Sequence, residues 1–108
     1  MARAEWSKAE TYEFEVSPLD AWVREYSWWV NRKGYIYRRS TLRVDGVKKS
    51  VNVYLHREIL GLGFGNPLEG DHINNLPSIN TRGNLQPLTK EENLRRRYAN
   101  IEEAPTKN

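Results

Sequence analysis

The chain has no cysteine. That excludes disulfides, thiolate nucleophiles, iron–sulfur clusters and every cysteine-based zinc site. It also lacks long apolar runs, and none approaches the ~18 residues needed to cross a bilayer. The opening Met1-Ala2-Arg3-Ala4-Glu5 carries no apolar stretch of the signal-peptide kind. Apolar residues fill only 38 % of 108 positions, which limits the chain to one modest core. There is no internal repeat and no low-complexity segment. The expectation is a single soluble domain over residues 1–108, working in the cytoplasm with no membrane partner.

What the chain does have is charge, and it is segregated. Lys and Arg total 17 against 14 Asp and Glu, a net of +3. Residues 1–27 carry three basic and six acidic groups, a balance of −3. Residues 28–97 carry thirteen basic and six acidic groups, a balance of +7. Residues 98–108 return −1. Four Trp and six Tyr lie mostly in or beside the basic stretch. Cations meet phosphates and rings stack on bases, so this pairing suits a nucleic-acid surface. A solvated face with ordinary core aromatics accounts for the composition equally well.

Local patterns predict the elements. Residues 1–10 read as a frayed polar lead-in. Thr11 to Val16 alternates polar and apolar, as a strand does. Ser17-Pro18-Leu19-Asp20 carries a cap, a first-turn proline and an acid for the dipole, so a short helix follows. Strands are then expected around Trp28 to Val30, from Tyr35 to Arg43 and from Ser50 to Leu55. Asp45-Gly46 is a hairpin signal between the last two. These three form an antiparallel meander. His56 to Leu60 reads as a helical turn or two. Gly61-Leu62-Gly63-Phe64-Gly65 follows no strand and opens no helix, so it is not a nucleotide loop. Asp71 to Ile73 and Asn84 to Leu88 are short strands around a polar loop, Asn74 to Gly83. Thr89 and Glu92 form a capping box for a helix from about Lys90 to Tyr98. Residues 99–108 read as a tail.

The chemistry lies between Asp71 and Asn93. The spacings Asp71 to Asn84 and Asn84 to Asn93 are 13 and 9. A strand, loop, strand and helix of that size can bring Asp71, His72, Asn84 and Asn93 together. Asp71 offers a carboxylate oxygen and Asn93 an amide oxygen, a hard pair suited to Mg²⁺ or Mn²⁺. His72, with an ordinary pKa near ~6.5, can accept a proton from water. Asn84 can hold one ring nitrogen and leave the other as base. Together these suffice for phosphodiester hydrolysis. Each residue alone also has a structural explanation, since Asn and Asp are common in turns.

Tyr54 to Leu60, Asp71-His72-Ile73-Asn74, Asn80, Asn84-Leu85 and Asn93 together resemble the HNH endonuclease family, in particular its small free-standing members from phages and mobile introns. Trp28 through Arg57 resembles the region ahead of the motif in such proteins, so roughly residues 12–97 are covered. The resemblance implies an α+β fold. It has an N-terminal antiparallel β-meander with short helices (residues 11–60). A C-terminal ββα-metal motif, or His-Me finger, follows over residues 66–98. It implies DNA as substrate and a divalent cation, Mg²⁺ or Mn²⁺, as cofactor. Asp71 and Asn93 would be metal ligands, His72 the general base, and Asn84 the group orienting it. Asn80 would brace the loop. Asn74-Asn75 stands where many members have Asp-Gly, and Thr81 and Gln86 stand where basic residues are frequent. Nicking or double-strand cutting would give a 5′-phosphate and a 3′-hydroxyl. The partners left open are a second copy of the chain, as a homodimer, and a phage terminase. The rival functions are a catalytically silent DNA-binding module and a packaging accessory of the same fold.

Contacts to DNA are expected from Arg57 as a phosphate clamp, from Arg82 in the motif loop, and from one or two of Arg95, Arg96 and Arg97. Those three point about 100° apart on a helix; Arg96 is the one assigned. His56 is expected behind the site, tying the sheet to the motif. On the meander, Arg39, Thr41 and Arg43 share one face, and Arg38, Ser40 and Leu42 the other. Arg38, Arg39 and Arg43 are assigned to DNA. Trp22, Trp28 and Trp29 are expected in the core.

Overall fold

A computed structural model of the chain describes residues 2–5 and 11–103, with side chains over 13–98. Strands β1 (Ala2–Glu5) and β2 (Thr11–Val16) pair antiparallel. Residues 2–5 are thus a strand and not part of a frayed lead-in; residues 1 and 6–10 lie outside the described residues. Pro18–Glu25 winds as a 3-10 helix, broken at Asp20 (φ −100°, ψ 36°), whose carboxylate is turned inward and fully buried. Ser17 makes no side-chain cap bond to that helix; its Oγ accepts the backbone N–H of Arg82 instead.

The meander follows as expected: β3 (Trp29–Val30), β4 (Ile36–Val44) and β5 (Val47–Tyr54) are antiparallel neighbours. The hairpin turn has Asp45 at φ 52° and Gly46 at φ 81°. Positive φ at both central residues is what matches a tight turn to the twist of the strands. After α1 (Leu55–Ile59) come β6 (Glu69–His72), β7 (Ile79–Asn80), a 3-10 turn Arg82–Asn84, β8 (Leu85–Leu88) and α2 (Lys90–Glu103). The last helix runs on past Tyr98 to Glu103, and residues 104–108 lie outside the described residues.

The result is a small mixed α+β domain with largely antiparallel sheets and few helices. The large sheet runs β5-β4-β3-β1-β2-β7, and β6-β8 stand apart as a pair. Two contacts in the large sheet are parallel, β1 with β3 and β2 with β7. Among the described residues no helix is long and apolar enough to cross a membrane.

One core joins the two parts. Phe14, Val23, Trp28, Val30 and Ile36 pack with Leu55 and Ile59 of α1 and with Leu85 of β8. Each fully buried side chain of this size contributes about 1.5–3 kcal/mol. Trp28 is buried and gives its indole N–H to the Val23 carbonyl at 2.7 Å; Trp22 and Trp29 are half-buried. Two polar ties reinforce the junction. The segment read as a plain loop contains β7, which pairs with β2 at Glu15↔Ile79 and Val16↔Asn80. Arg82 grips buried Asp20 with Nε at 3.0 Å and Nη2 at 2.7 Å.

Candidate active site

β6 and β8 pair with Asp71 opposite Gln86 and His72 opposite Leu85. Pro87 and Leu88 end β8, and a capping box starts α2 at once. Thr89 N–H donates to Glu92 Oε1 at 2.8 Å, and Glu92 N–H donates to Thr89 Oγ1 at 3.0 Å. The box fixes the helix start, so Asn93 falls one turn in, with α2 packed against both strands. The Thr89 backbone N–H, and after it the Thr89 hydroxyl, hold the Glu92 carboxyl below its ordinary pKa. A cleft of about 260 Å³ opens there, lined by Tyr35, Asp71, His72, Asn93, Arg96 and Arg97 among others. Three of the four residues expected to converge do so. Asn84 is not part of the lining.

His72 is buried and its Nε2 lies 2.9 Å from Asn80 Oδ1. The polarity of that bond follows from the next one. Asn80 Nδ2 donates to the Pro77 carbonyl at 3.0 Å, and a carbonyl only accepts. The amide oxygen therefore faces the ring, Nε2 carries the proton, and Nδ1 is left to accept one. Burial pushes the His72 pKa below its ordinary value, against the opposing pull of Asn80 and of Asp71. The ring is neutral at neutral pH.

Asn84 does not orient His72. Its Nδ2 donates to Asn74 Oδ1 at 2.9 Å and to the Ile79 carbonyl at 2.8 Å, and its Oδ1 accepts the Asn74 N–H at 3.0 Å. All its polar atoms are taken up pinning the loop. The roles expected for Asn80 and Asn84 are exchanged, because β7 pairs with β2 and fixes Asn80 there, 1 % exposed, beside the ring. A two-residue bridge leaves no periodic signal in sequence.

Asp71 is held through one oxygen. Its Oδ2 accepts Gln86 Nε2 at 2.9 Å and Arg96 Nε at 2.9 Å. Asn93 gives its Nδ2 to Glu69 Oε1. One carboxylate oxygen of Asp71 and the amide oxygen of Asn93 therefore remain as donors. Among the described residues no three His, Cys, Asp or Glu side chains gather as a metal-holding group. A hard carboxylate–amide pair, with the remaining positions left to water or phosphate, fits Mg²⁺ or Mn²⁺ and not a fully protein-ligated zinc.

His56 is outside the cleft lining and packs against the His72 ring. Its ring stacks on Tyr35 (5.4 Å between centroids) and lies 4.9 Å from that of His72. It sits so close to β6 that a Cβ on Gly70 would come within 2.5 Å of its Cδ2. Burial, then repulsion from His72 when it is protonated and from Arg57, push the His56 pKa down to about 4.

The arginines depart most from expectation. Arg57 donates to the carbonyls of Leu68 at 2.6 Å, Asn66 at 3.1 Å and Gly63 at 3.5 Å, so it braces the loop before β6. Arg82 is bound to Asp20. Arg96 bonds Asp71 and the carbonyls of His72 and Ile73 at 3.2 and 2.7 Å. Arg38 makes a two-pronged pair with Glu58 at 3.0 and 2.7 Å and stacks on Tyr26 at 4.4 Å. Four of the six arginines assigned to DNA are thus held by two or more side-chain hydrogen bonds within the protein, whereas Arg39 and Arg43 make one each. Arg39 and Arg43 are exposed on the hairpin, as the strand alternation predicts. Arg97, which was not assigned, lines the cleft and its neighbour beside Lys33. Its spacing of four from Asn93 is the signal that could have found it. No protein-family model, curated protein or solved structure matches the chain.

Proposed function

We propose that the protein is a metal-dependent endonuclease of the HNH type, hydrolysing phosphodiester bonds of DNA, with β6, β8 and α2 as a ββα-metal motif. The observation that carries this reading is the common cleft of His72, Asp71 and Asn93, in which the hydrogen bond to Asn80 leaves His72 Nδ1 as base. A phage or mobile-element origin is part of the same proposal and rests on the sequence resemblance alone.

In this mechanism His72 Nδ1 takes a proton from water as the oxygen attacks phosphorus. The bond from phosphorus to the 3′-oxygen breaks. The 5′-phosphate stays with one fragment, and the leaving oxygen takes a proton to become a 3′-hydroxyl. Asp71 and Asn93 would hold a Mg²⁺ or Mn²⁺ ion, which supplies Lewis-acid stabilisation of the charge on the reacting phosphate. Asn80 keeps the His72 proton on Nε2 throughout. Arg97 lines the cleft and, with Lys33, the pocket beside it, where both would meet flanking phosphates. The outer hairpin face, where Arg39↔Asn52, Thr41↔Ser50 and Arg43↔Lys48 are paired, supplies donors farther along the duplex.

The test is a supercoiled plasmid with Mg²⁺ or Mn²⁺, with EDTA and His72→Ala as controls. Nicked or linear product with either metal, lowered at least ~100-fold in His72→Ala, is the expected result. No product with either metal, or undiminished cutting by His72→Ala, overturns the reading.

A further inference from the structure

Glu69 precedes Asp71 by two residues on β6, so both side chains emerge on the same face of the strand. Its carboxylate accepts the Asn93 Nδ2 proton across from α2. We infer that Glu69 is a positioning residue for Asn93, deciding which end of that amide is offered to the cleft. The inference rests on the proposed role of Asn93 as a metal ligand.

The two ends of an asparagine amide have nearly the same shape and opposite chemistry. The oxygen is a ligand for a hard cation, and the NH₂ group is a donor that repels one. Rotation by half a turn exchanges them. A carboxylate has no proton to give, so a hydrogen bond to Glu69 is possible only with the nitrogen turned toward it. The oxygen is then the end left over. Asp71, whose two oxygens are equivalent, is held by Gln86 and Arg96 on one of them and keeps the other. His72 is oriented by Asn80, whose own amide is fixed by the Pro77 carbonyl. His72 and Asn93 thus each have a partner whose polarity allows one arrangement. Glu69 is the member of this set that sequence reading does not single out.

The experiment is Mn²⁺ titration of the full chain without DNA, following the signal of free Mn²⁺ by electron paramagnetic resonance. The proteins are the wild type, Glu69→Gln, Asn93→Asp and the double variant, with circular dichroism to verify folding. Glutamine can offer either an oxygen or an NH₂ group, so the Asn93 amide loses its fixed orientation. Mn²⁺ binding by Glu69→Gln is expected to weaken roughly 10-fold, the scale of losing a group that orients a ligand. An aspartate at 93 has two equivalent oxygens and needs no orienting. In that background Glu69→Gln leaves Mn²⁺ affinity unchanged or raises it. Equal weakening in both backgrounds overturns the inference, since Glu69 would then act through its charge or as a ligand. No weakening in either background overturns it too. A wild-type chain that takes up no Mn²⁺ overturns the metal-site reading and this inference with it.

Discussion

The cleft and the β4–β5 hairpin use the same residue type in opposite ways. From α1 to α2, arginine ties protein to protein: Arg57 to loop carbonyls, Arg82 to Asp20, and, in the cleft itself, Arg96 to Asp71. On the outer hairpin face, Arg39 and Arg43 each make one exposed hydrogen bond, to Ser50 Oγ and the Gly46 carbonyl, and otherwise face outward. The excess of +7 in residues 28–97 is therefore two populations. One is a set of internal ties, some already neutralised by their own carboxylates. The other, joined by Arg97 at the cleft, by Lys33 beside it and by exposed Arg32, Lys48, Lys49, Lys90 and Arg95, adds to a field that a polyanion would feel.

The cleft side also holds the groups that read pH, and acid gives the largest expected difference between the regions. Folding lowers the His56 pKa from its ordinary value of 6.5 to about 4. Between those values the unfolded chain binds a proton that the folded chain refuses. Stability is thus full above about 6.5 and falls as pH drops toward 4, by about 3 kcal/mol in all from this group. His72 is shifted in the same direction by burial. Asp20 adds to the loss at lower pH, because the bond from Arg82 holds its carboxyl below the ordinary range. Thermal melts at pH 7.5 and 4.5 should show the drop. In His56→Phe, which keeps a ring in the same stack, the slope between them should flatten. An equal slope in that variant would show that His56 is not the sensor.

The next contrast compares two arginines. Arg82→Ala leaves the buried Asp20 carboxylate with only the Trp22 indole N–H at 3.1 Å. The expected cost is ~1–3 kcal/mol, kept to that range because the Arg82 side chain is itself half exposed. Arg43→Ala removes a solvated side chain and should change stability by less than about 0.5 kcal/mol. Urea titration of both variants reads the difference. Equal costs would erase the division between internal and outward arginines.

Local chemistry was legible and distant pairing was not. The Asp45-Gly46 turn and the Thr89–Glu92 box are complete within four residues, so sequence order contains them. The alternation of Arg39, Thr41 and Arg43 depends on the strand period alone. The convergence of Asp71, His72 and Asn93 followed from element lengths. The partner of Arg82, by contrast, lies 62 residues away, and that of Arg38 lies 20 away. No local pattern marks a guanidinium as already occupied. Asn80 and Asn84 illustrate the same limit inside the site. Both are asparagines between β6 and β8, and the pairing of β7 with β2 decides which one meets His72.

The smallest expected effect on the protein itself belongs to the hairpin, and it sharpens the comparison most directly. Arg39→Ala combined with Arg43→Ala should leave the melting temperature where it is, since neither side chain is buried. If both meet phosphates, binding to duplex DNA weakens about equally for all sequences. The slope of log affinity against log salt then becomes shallower by roughly 2, about one unit per lost contact. Measured without added metal, that slope reports grip and not cutting. Arg57→Ala serves as the opposite arm. Its guanidinium already donates to three carbonyls, so its loss should loosen the loop before β6 and lower the melting temperature while leaving the salt slope unchanged. A slope that falls in Arg57→Ala and not in the hairpin variant would reverse the assignment, making the cleft the gripping surface and the hairpin a bystander.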